Sequence, residues 1–255
     1  VFATKRSKKV NEVIKKISDQ KSATLQFLGE DFYVEKATKK TPSMFIDYRN
    51  KKTCLNNLEL SLLGGFQARN AALALSACLH HAHKNGKDIN EQSIRKALRE
   101  TSWSGRMEVI SLRPTIILDT AHNPAAVKEL AKSVQELFSY ARVILILGVM
   151  NDKQADEIFK KLANFADHFI LVRPKQERSE NPTKLKQISK KYKSSCEIIE
   201  NIPKAILKAK KYALPDDMIC VTGSIFTVGE AKQYFDNEPN FKTNFSPSTN
   251  LHLSG

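Results

Sequence analysis

A chain of 255 residues, 41% apolar and 27% charged, can bury a full core and exceeds the roughly 100–200 residues of a single domain. No apolar run approaches the roughly 20 residues of a membrane span, and the polar start Val1-Phe2-Ala3-Thr4-Lys5 is no signal peptide, so the expectation is a cytoplasmic protein without a membrane partner. Lysine and arginine outnumber acids 41 to 27, for a formal charge of +14, which favours anionic ligands.

The lysines nevertheless fall in dispersed pairs such as Lys15-Lys16, Lys160-Lys161 and Lys210-Lys211, without interleaved aromatics, as on solvated helix faces; no nucleic-acid partner is expected. Cys54, Cys78, Cys196 and Cys220 stand singly, with no metal-ligand spacing, and read as reduced thiols. The absence of an initial Met suggests a piece of something longer.

Val10, Val13, Ile14 and Ile17 recur at helical spacing and predict an amphipathic helix over Lys5–Gln20. Leu25–Leu28 and Phe32–Val34 flank Gly29-Glu30-Asp31 and read as a short hairpin. Met44–Tyr48 and Leu58–Leu62 continue in strand character. This opening region reads as one or two βα units followed by antiparallel strands, the end of a domain. Gly64-Gly65 permits a sharp turn into an Ala- and Leu-rich helix over Ala71–His83 that stops at Asn85-Gly86. Being apolar on most sides, that helix is expected to be buried, and Gln67 and Asn70 at its start then need partners or serve as caps. Asn90–Arg99 predicts a further helix with Ile94 and Leu98 inward. The polar break Thr101–Arg106 marks a domain boundary.

From Met107 the rhythm is regular. Strands at Glu108–Leu112, Thr115–Leu118, Val143–Val149, Phe169–Val172, Glu197–Ile199 and Met218–Thr222 alternate with helices near Pro124–Phe138, Asp152–Phe165, Pro182–Tyr192, Pro203–Ala213 and Thr227–Phe235. Continuously apolar strands such as Val143–Val149 belong to a parallel sheet covered on both faces, so the region reads as doubly wound α/β. Residues 237–255 read as a tail.

The centre of interest is TIILDTAHNP, Thr115–Pro124. A short apolar strand runs into Asp119 and His122, and Asn123-Pro124 then opens a helix with a favoured cap and a favoured first residue. Asn151-Asp152-Lys153 and Gly223-Ser224 follow two other strands. Parallel strands place all these ends at one edge, where α/β sheets bind ligands and helix N-termini favour anions.

A Ser224–His122–Asp119 hydrolase would need a G-x-S-x-G elbow, which is missing. A metal site at Asp119 and His122 finds no further ligand at suitable spacing. A dinucleotide fingerprint and a phosphate loop are both missing.

GGFQARNAALALSA, WSGRMEVI, LDTAHNPAA, LGVMNDK and VTGSIFTVGEA, in this order, resemble the carboxyl-terminal half of folylpolyglutamate synthase/dihydrofolate synthase, of the Mur ligase superfamily. The resemblance implies a Rossmann-like, mostly parallel α/β carboxyl-terminal Mur ligase domain (103–236), preceded by the later part of an α/β ATPase domain (1–102). It further implies a ligase that phosphorylates a folate or dihydropteroate carboxylate with ATP and joins it to the amine of L-glutamate, the full-length protein being a monomer.

By the same resemblance Asn70 and Arg106 contact ATP, Asp119 its ribose, His122 the phosphate or the incoming glutamate, and Ser224 the glutamate, with Lys153 a further catalytic candidate and Arg178 a weaker one. The segment near Trp103–Gly105 would be the hinge. Phe66 stands where the family usually has His. The family's phosphate loop, Mg2+ ligands and modified lysine lie upstream of Val1, so the chain alone is expected to be inactive. Two other readings stand beside this one: a Mur-type ligase for another amino acid, and a non-catalytic binding module derived from one.

Overall fold

The computed structural model describes residues 1–5, 7–40 and 43–238, with residues 36–40 by backbone alone, and divides the chain into two units, Val1–Ser102 and Trp103–Gly255. The first unit contains β1 (Phe2–Thr4), α1 (Lys8–Gln20), β2 (Gln26–Leu28), β3 (Phe32–Lys40), β4 (Ser43–Asn50), β5 (Cys54–Leu60), α2 (Gly65–Lys84) and α3 (Glu91–Glu100). Its sheet runs in chain order, with β1 and β2 parallel and β3, β4 and β5 antiparallel.

Alternation along β4 sends Met44, Ile46 and Tyr48 to one face, where Phe32, Leu58 and Leu60 join Ala68, Ala72 and Leu75 of α2 and Ile94 of α3 in a core. The buried Tyr48 hydroxyl hydrogen-bonds with Ser76 Oγ at 2.7 Å and accepts from Asn50 Nδ2 at 2.9 Å, which satisfies it without water.

Three expectations change here. β2 and β3 are not a hairpin: they meet in parallel sense at one pair, Leu28 and Phe32, and the turn is closed by the Asp31 carboxylate accepting from Phe27 N at 2.8 Å. α2 starts six residues earlier than its Ala-rich stretch, because Gly64 (φ +109°) alone makes the turn and Gly65 is already helical. It is also buried along one face only, with Ala74, Cys78 and His81 exposed; alanine promotes helix without reporting burial. The amphipathic stripe of α1 likewise lies open, Val10, Val13 and Ile17 being about half-exposed.

The second unit contains β6 (Glu108–Leu112), β7 (Thr115–Leu118), α4 (Pro124–Leu137), β8 (Val143–Leu147), α5 (Ala155–Leu162), β9 (His168–Leu171), α6 (Pro182–Lys191), β10 (Cys196–Ile198), α7 (Ile202–Tyr212), β11 (Met218–Thr222) and α8 (Ile225–Asn237). It is a mixed α/β fold around a parallel-rich sheet ordered β10-β9-β8-β11-β7-β6, with β6 antiparallel to β7 and the rest parallel. α8 continues to Asn237, into the segment read as tail; the tail from residue 239 lies outside the described residues.

Alternate residues of the parallel strands face opposite helix layers. Ile116, Leu118, Ile144, Ile146, Ile219 and Val221 pack with Ile206 and Ala209 of α7 and Val228 and Phe235 of α8. On the other face Phe169 stacks on Phe159 of α5, centroids 5.1 Å apart. Complete burial of each such side chain contributes about 1.5–3 kcal/mol, and truncating one, as in Leu145→Ala, costs about 2–5 kcal/mol. Among the described residues no helix is long and apolar enough to cross a membrane.

Candidate functional site

β8, β11 and β7 are consecutive in the sheet. From β8 the chain winds outward through β9 to β10 and then returns through α7 to insert β11 between β8 and β7. The carboxyl ends of these three strands therefore lie side by side where the winding reverses, the position at which open α/β sheets form a ligand crevice. Asp119 and His122 follow β7, Asp152 and Lys153 follow β8, and Gly223 and Ser224 follow β11. This rim carries three of the five segments that bear the candidate residues of the second unit.

The rim is tied together by backbone. Gly223 N donates to Ala121 O at 3.0 Å, and Gly148 N donates to Thr222 O at 3.2 Å. Thr227 Oγ1 donates to Gly148 O at 2.8 Å, which fastens the first turn of α8 to the end of β8. The two helices opening at the rim are capped from within. Asn123 Oδ1 accepts from Ala126 N at 2.9 Å at the start of α4, and Ser224 Oγ accepts from Thr227 N at 3.0 Å at the start of α8.

Asp119 is 4% exposed. Its Oδ2 accepts from Met107 N and its Oδ1 from Ala121 N, both at 2.9 Å. Burial raises its pKa above the usual carboxylate value, while those two donors and the nearby charges of Arg106 and His122 pull the other way. The carboxylate thus holds the segment carrying Arg106 against the end of β7. Arg106 itself is exposed.

His122 Nδ1 lies 2.9 Å from Thr120 O. A carbonyl accepts only, so Nδ1 carries a proton and in the neutral ring Nε2 carries the lone pair. Lys153 Nζ donates to Asp152 Oδ2 at 3.0 Å, and that contact holds the Asp152 carboxyl below its usual pKa, with Arg178 adding to the effect.

Ser224 is buried, and its hydroxyl pairs with Thr227 Oγ1 at 2.7 Å as well as capping α8. Asn70 belongs to the first unit; it is exposed, and its Nδ2 donates to the buried Gln67 Oε1 at 3.0 Å. Neither amide caps α2, whose cap position is Gly64.

Two features escaped the sequence pattern. Thr227 ties α8 to β8, and only its place one turn after Ser224 could have hinted at it. The segment after β9 zips onto the one after β8: Asn151 N donates to Arg178 O at 2.8 Å and Glu180 N to Val149 O at 2.9 Å. This pairing is what brings Arg178 beside Asp152 and Lys153, and the aperiodic run from Pro174 to Glu180 gave no sign of it. Among the described residues no three His, Cys, Asp or Glu side chains cluster so as to hold a metal.

Residues 105–225 match the Mur ligase, glutamate ligase domain family. The probable bifunctional folylpolyglutamate synthase/dihydropteroate synthase of Haloferax volcanii is 33% identical over 69% of this chain and 20% of its own length. The folylpolyglutamate synthase of Lacticaseibacillus casei is 28% identical over 87% of this chain and 50% of its own. In fold, the chain superposes on the Mycobacterium tuberculosis folylpolyglutamate synthase complexed with ADP with a TM-score of 0.85 at 24% identity, covering 93% of this chain and 55% of that one. The chain thus spans half the length or little more of these relatives, and much less of the bifunctional protein. Residues 105–225 thus carry a Mur ligase, glutamate ligase domain, and over most of its length the chain is similar to part of the folylpolyglutamate synthases and dihydrofolate synthases.

Proposed function

We propose that this chain is the ATP- and glutamate-handling portion of a ligase that adds L-glutamate to folate or dihydropteroate through an acyl phosphate. The observation that carries the reading is the meeting of the β7, β8 and β11 carboxyl ends at one switch point, bearing His122, Lys153 and the N-termini of α4 and α8. All three reactants are anionic. Two helix ends, Arg106 and Lys153 supply positive potential, which favours phosphate and carboxylate there and the charge that develops as the phosphoryl group moves.

In this reading Asn70 and Arg106 contact ATP. Asp119 acts chiefly by position, because both carboxylate oxygens already receive backbone N–H groups and hold the Arg106 segment in place. Ser224 acts in the same way, by fixing the start of α8 toward the glutamate. His122 is different: with Nδ1 engaged on Thr120 O, its Nε2 is set to take a proton from the glutamate ammonium, leaving the amine free to attack, or to meet the phosphate. Lys153, with Arg178 behind it, neutralises the transferring group. Magnesium would assist phosphoryl transfer when bound. Among the described residues no three His, Cys, Asp or Glu side chains gather to hold it.

The test is ADP release by the protein expressed from the complete reading frame, with and without glutamate and a folate acceptor. Release that requires both is expected, together with none from residues 1–255 alone. ATP binding without any glutamate-dependent turnover in the complete protein would overturn the reading.

A further inference from the structure

We propose that Trp103 is a stacking platform for the base of the bound nucleotide, an inference that rests on the nucleotide reading above. Trp103 is 68% exposed, the most exposed of the large apolar side chains among the described residues. An indole left in water gives up hydrophobic stabilisation unless something covers it, and single exposed aromatics on a rigid support are a recurrent means of binding bases.

The segment that the resemblance makes the hinge is anchored on the carboxyl side of Trp103. Two residues on, Gly105 N donates to Glu108 Oε2 at 2.8 Å and Gly105 O accepts from Thr120 N at 2.9 Å. Ser104 Oγ also donates to Glu108 Oε2, and Lys232 Nζ lies 2.8 Å from Glu108 Oε1. A side chain at Gly105 would come within 2.9 Å of both Thr120 Cγ2 and Val228 Cγ1, so the segment is packed against the end of β7 and the first turns of α8. Trp103 is therefore presented from an anchored segment at the rim, three residues before the exposed Arg106.

A second exposed apolar side chain lies on the helix that meets the same segment. Ile225, the first residue of α8, is 66% exposed and lies three positions before Val228, on the side of the helix that meets the Gly105 segment. An exposed indole and an exposed isoleucine with a guanidinium close by in sequence match a nucleotide in kind: a flat apolar base with a polyanionic tail. Free phosphate or pyrophosphate offers nothing for the indole.

Trp103 is the single tryptophan of the chain, so its fluorescence reads this position alone. In titrations of the 255-residue chain, millimolar ADP should quench a water-exposed indole emission, while pyrophosphate should leave it unchanged. Trp103→Ala should weaken ADP about tenfold, as expected for loss of one base–aromatic stack. It should leave pyrophosphate affinity and the thermal midpoint unchanged, and Trp103→Phe should recover most of the ADP affinity.

ADP binding seen by calorimetry with unaltered Trp103 emission would overturn the inference and leave the nucleotide reading intact. So would equal losses of ADP and pyrophosphate in Trp103→Ala, which mark a structural role, or a water-shielded emission before any nucleotide is added. No calorimetric binding of ADP to the 255-residue chain would overturn the inference as well, while glutamate-dependent ADP release by the complete protein would keep the nucleotide reading.

Discussion

The carboxylate of Asp119, at the end of β7, accepts the backbone N–H of Met107 at 2.9 Å, and Met107 sits in the left-handed region at φ +47°. A non-glycine residue is held there only where its surroundings demand it, and Asp119 supplies that demand while its other oxygen takes Ala121 N. Asp119→Asn keeps the size but offers one accepting oxygen, so one buried N–H faces an amide donor. The expected loss is about 1–3 kcal/mol, read from the urea midpoint at unchanged slope. A variant as stable as the parent would show that the Met107 segment does not depend on this bond.

At the opposite edge of the sheet, Asp217 is fully buried and accepts from Arg142 Nη2 at 2.5 Å, Arg142 Nε at 3.2 Å and Leu214 N at 2.9 Å. The hydrogen bond from Arg142 is the main reason its pKa lies below the usual value. A carboxylate with a depressed folded pKa stabilises the fold above its unfolded pKa, and this is lost as pH falls through the folded value. Asp217→Asn should therefore be less stable than the parent at neutral pH, with the gap closing in acid. Chemical denaturation of both proteins along a pH series measures it, and a gap independent of pH would contradict it.

Much of the second unit was legible because its strands are buried on both faces, so the chain spells them as unbroken apolar runs such as VILIL. Its helices announce themselves with Asn-Pro pairs: Asn123 and Asn181 both cap as their residue types suggest. The first unit was less readable. The turn at Gly29–Asp31 uses the Asp31 side chain, and a two-glycine start concealed the first turn of α2.

For the site, parallel topology was enough to place three strand ends on one rim. What Asp119 and Ser224 bond to was not legible, since it depends on the left-handed Met107 and on the inward rotation of Thr227, neither of which leaves a periodic trace.

Arg106 and Asp119 should separate in kinetics, although the resemblance brings both to the nucleotide. Arg106 is exposed, so Arg106→Ala should leave stability nearly unchanged and raise the ATP KM of the complete protein about tenfold or more, corresponding to about 1.4 kcal/mol of lost binding per tenfold. Arg106→Lys should recover only part, because an ammonium lacks the planar fork. Asp119→Ala should raise the ATP requirement and lower stability together, since it releases the Met107 segment. Unchanged ATP kinetics in both variants would remove them from the nucleotide site.

Three glycines at the rim should respond differently to the same added methyl. At Gly148 a Cβ would fall 2.4 Å from Thr227 Oγ1 and 2.9 Å from Val172 Cγ2. At Gly223 it would fall 2.5 Å from Gly148 O, a backbone atom, with φ at +107° adding strain. At Gly229, inside α8, nothing lies within 4 Å. Overpacking costs about 1–3 kcal/mol, so Gly148→Ala and Gly223→Ala should both destabilise, Gly223→Ala more because its neighbour cannot rotate away. Gly229→Ala should instead stabilise by about 0.5–1 kcal/mol, from the lower entropy cost of alanine in a helix. Thermal unfolding of the three variants ranks them directly. If Gly223→Ala proved neutral, the close approach of the β8 and β11 ends that sets Lys153 and Ser224 on one rim would not exist as described.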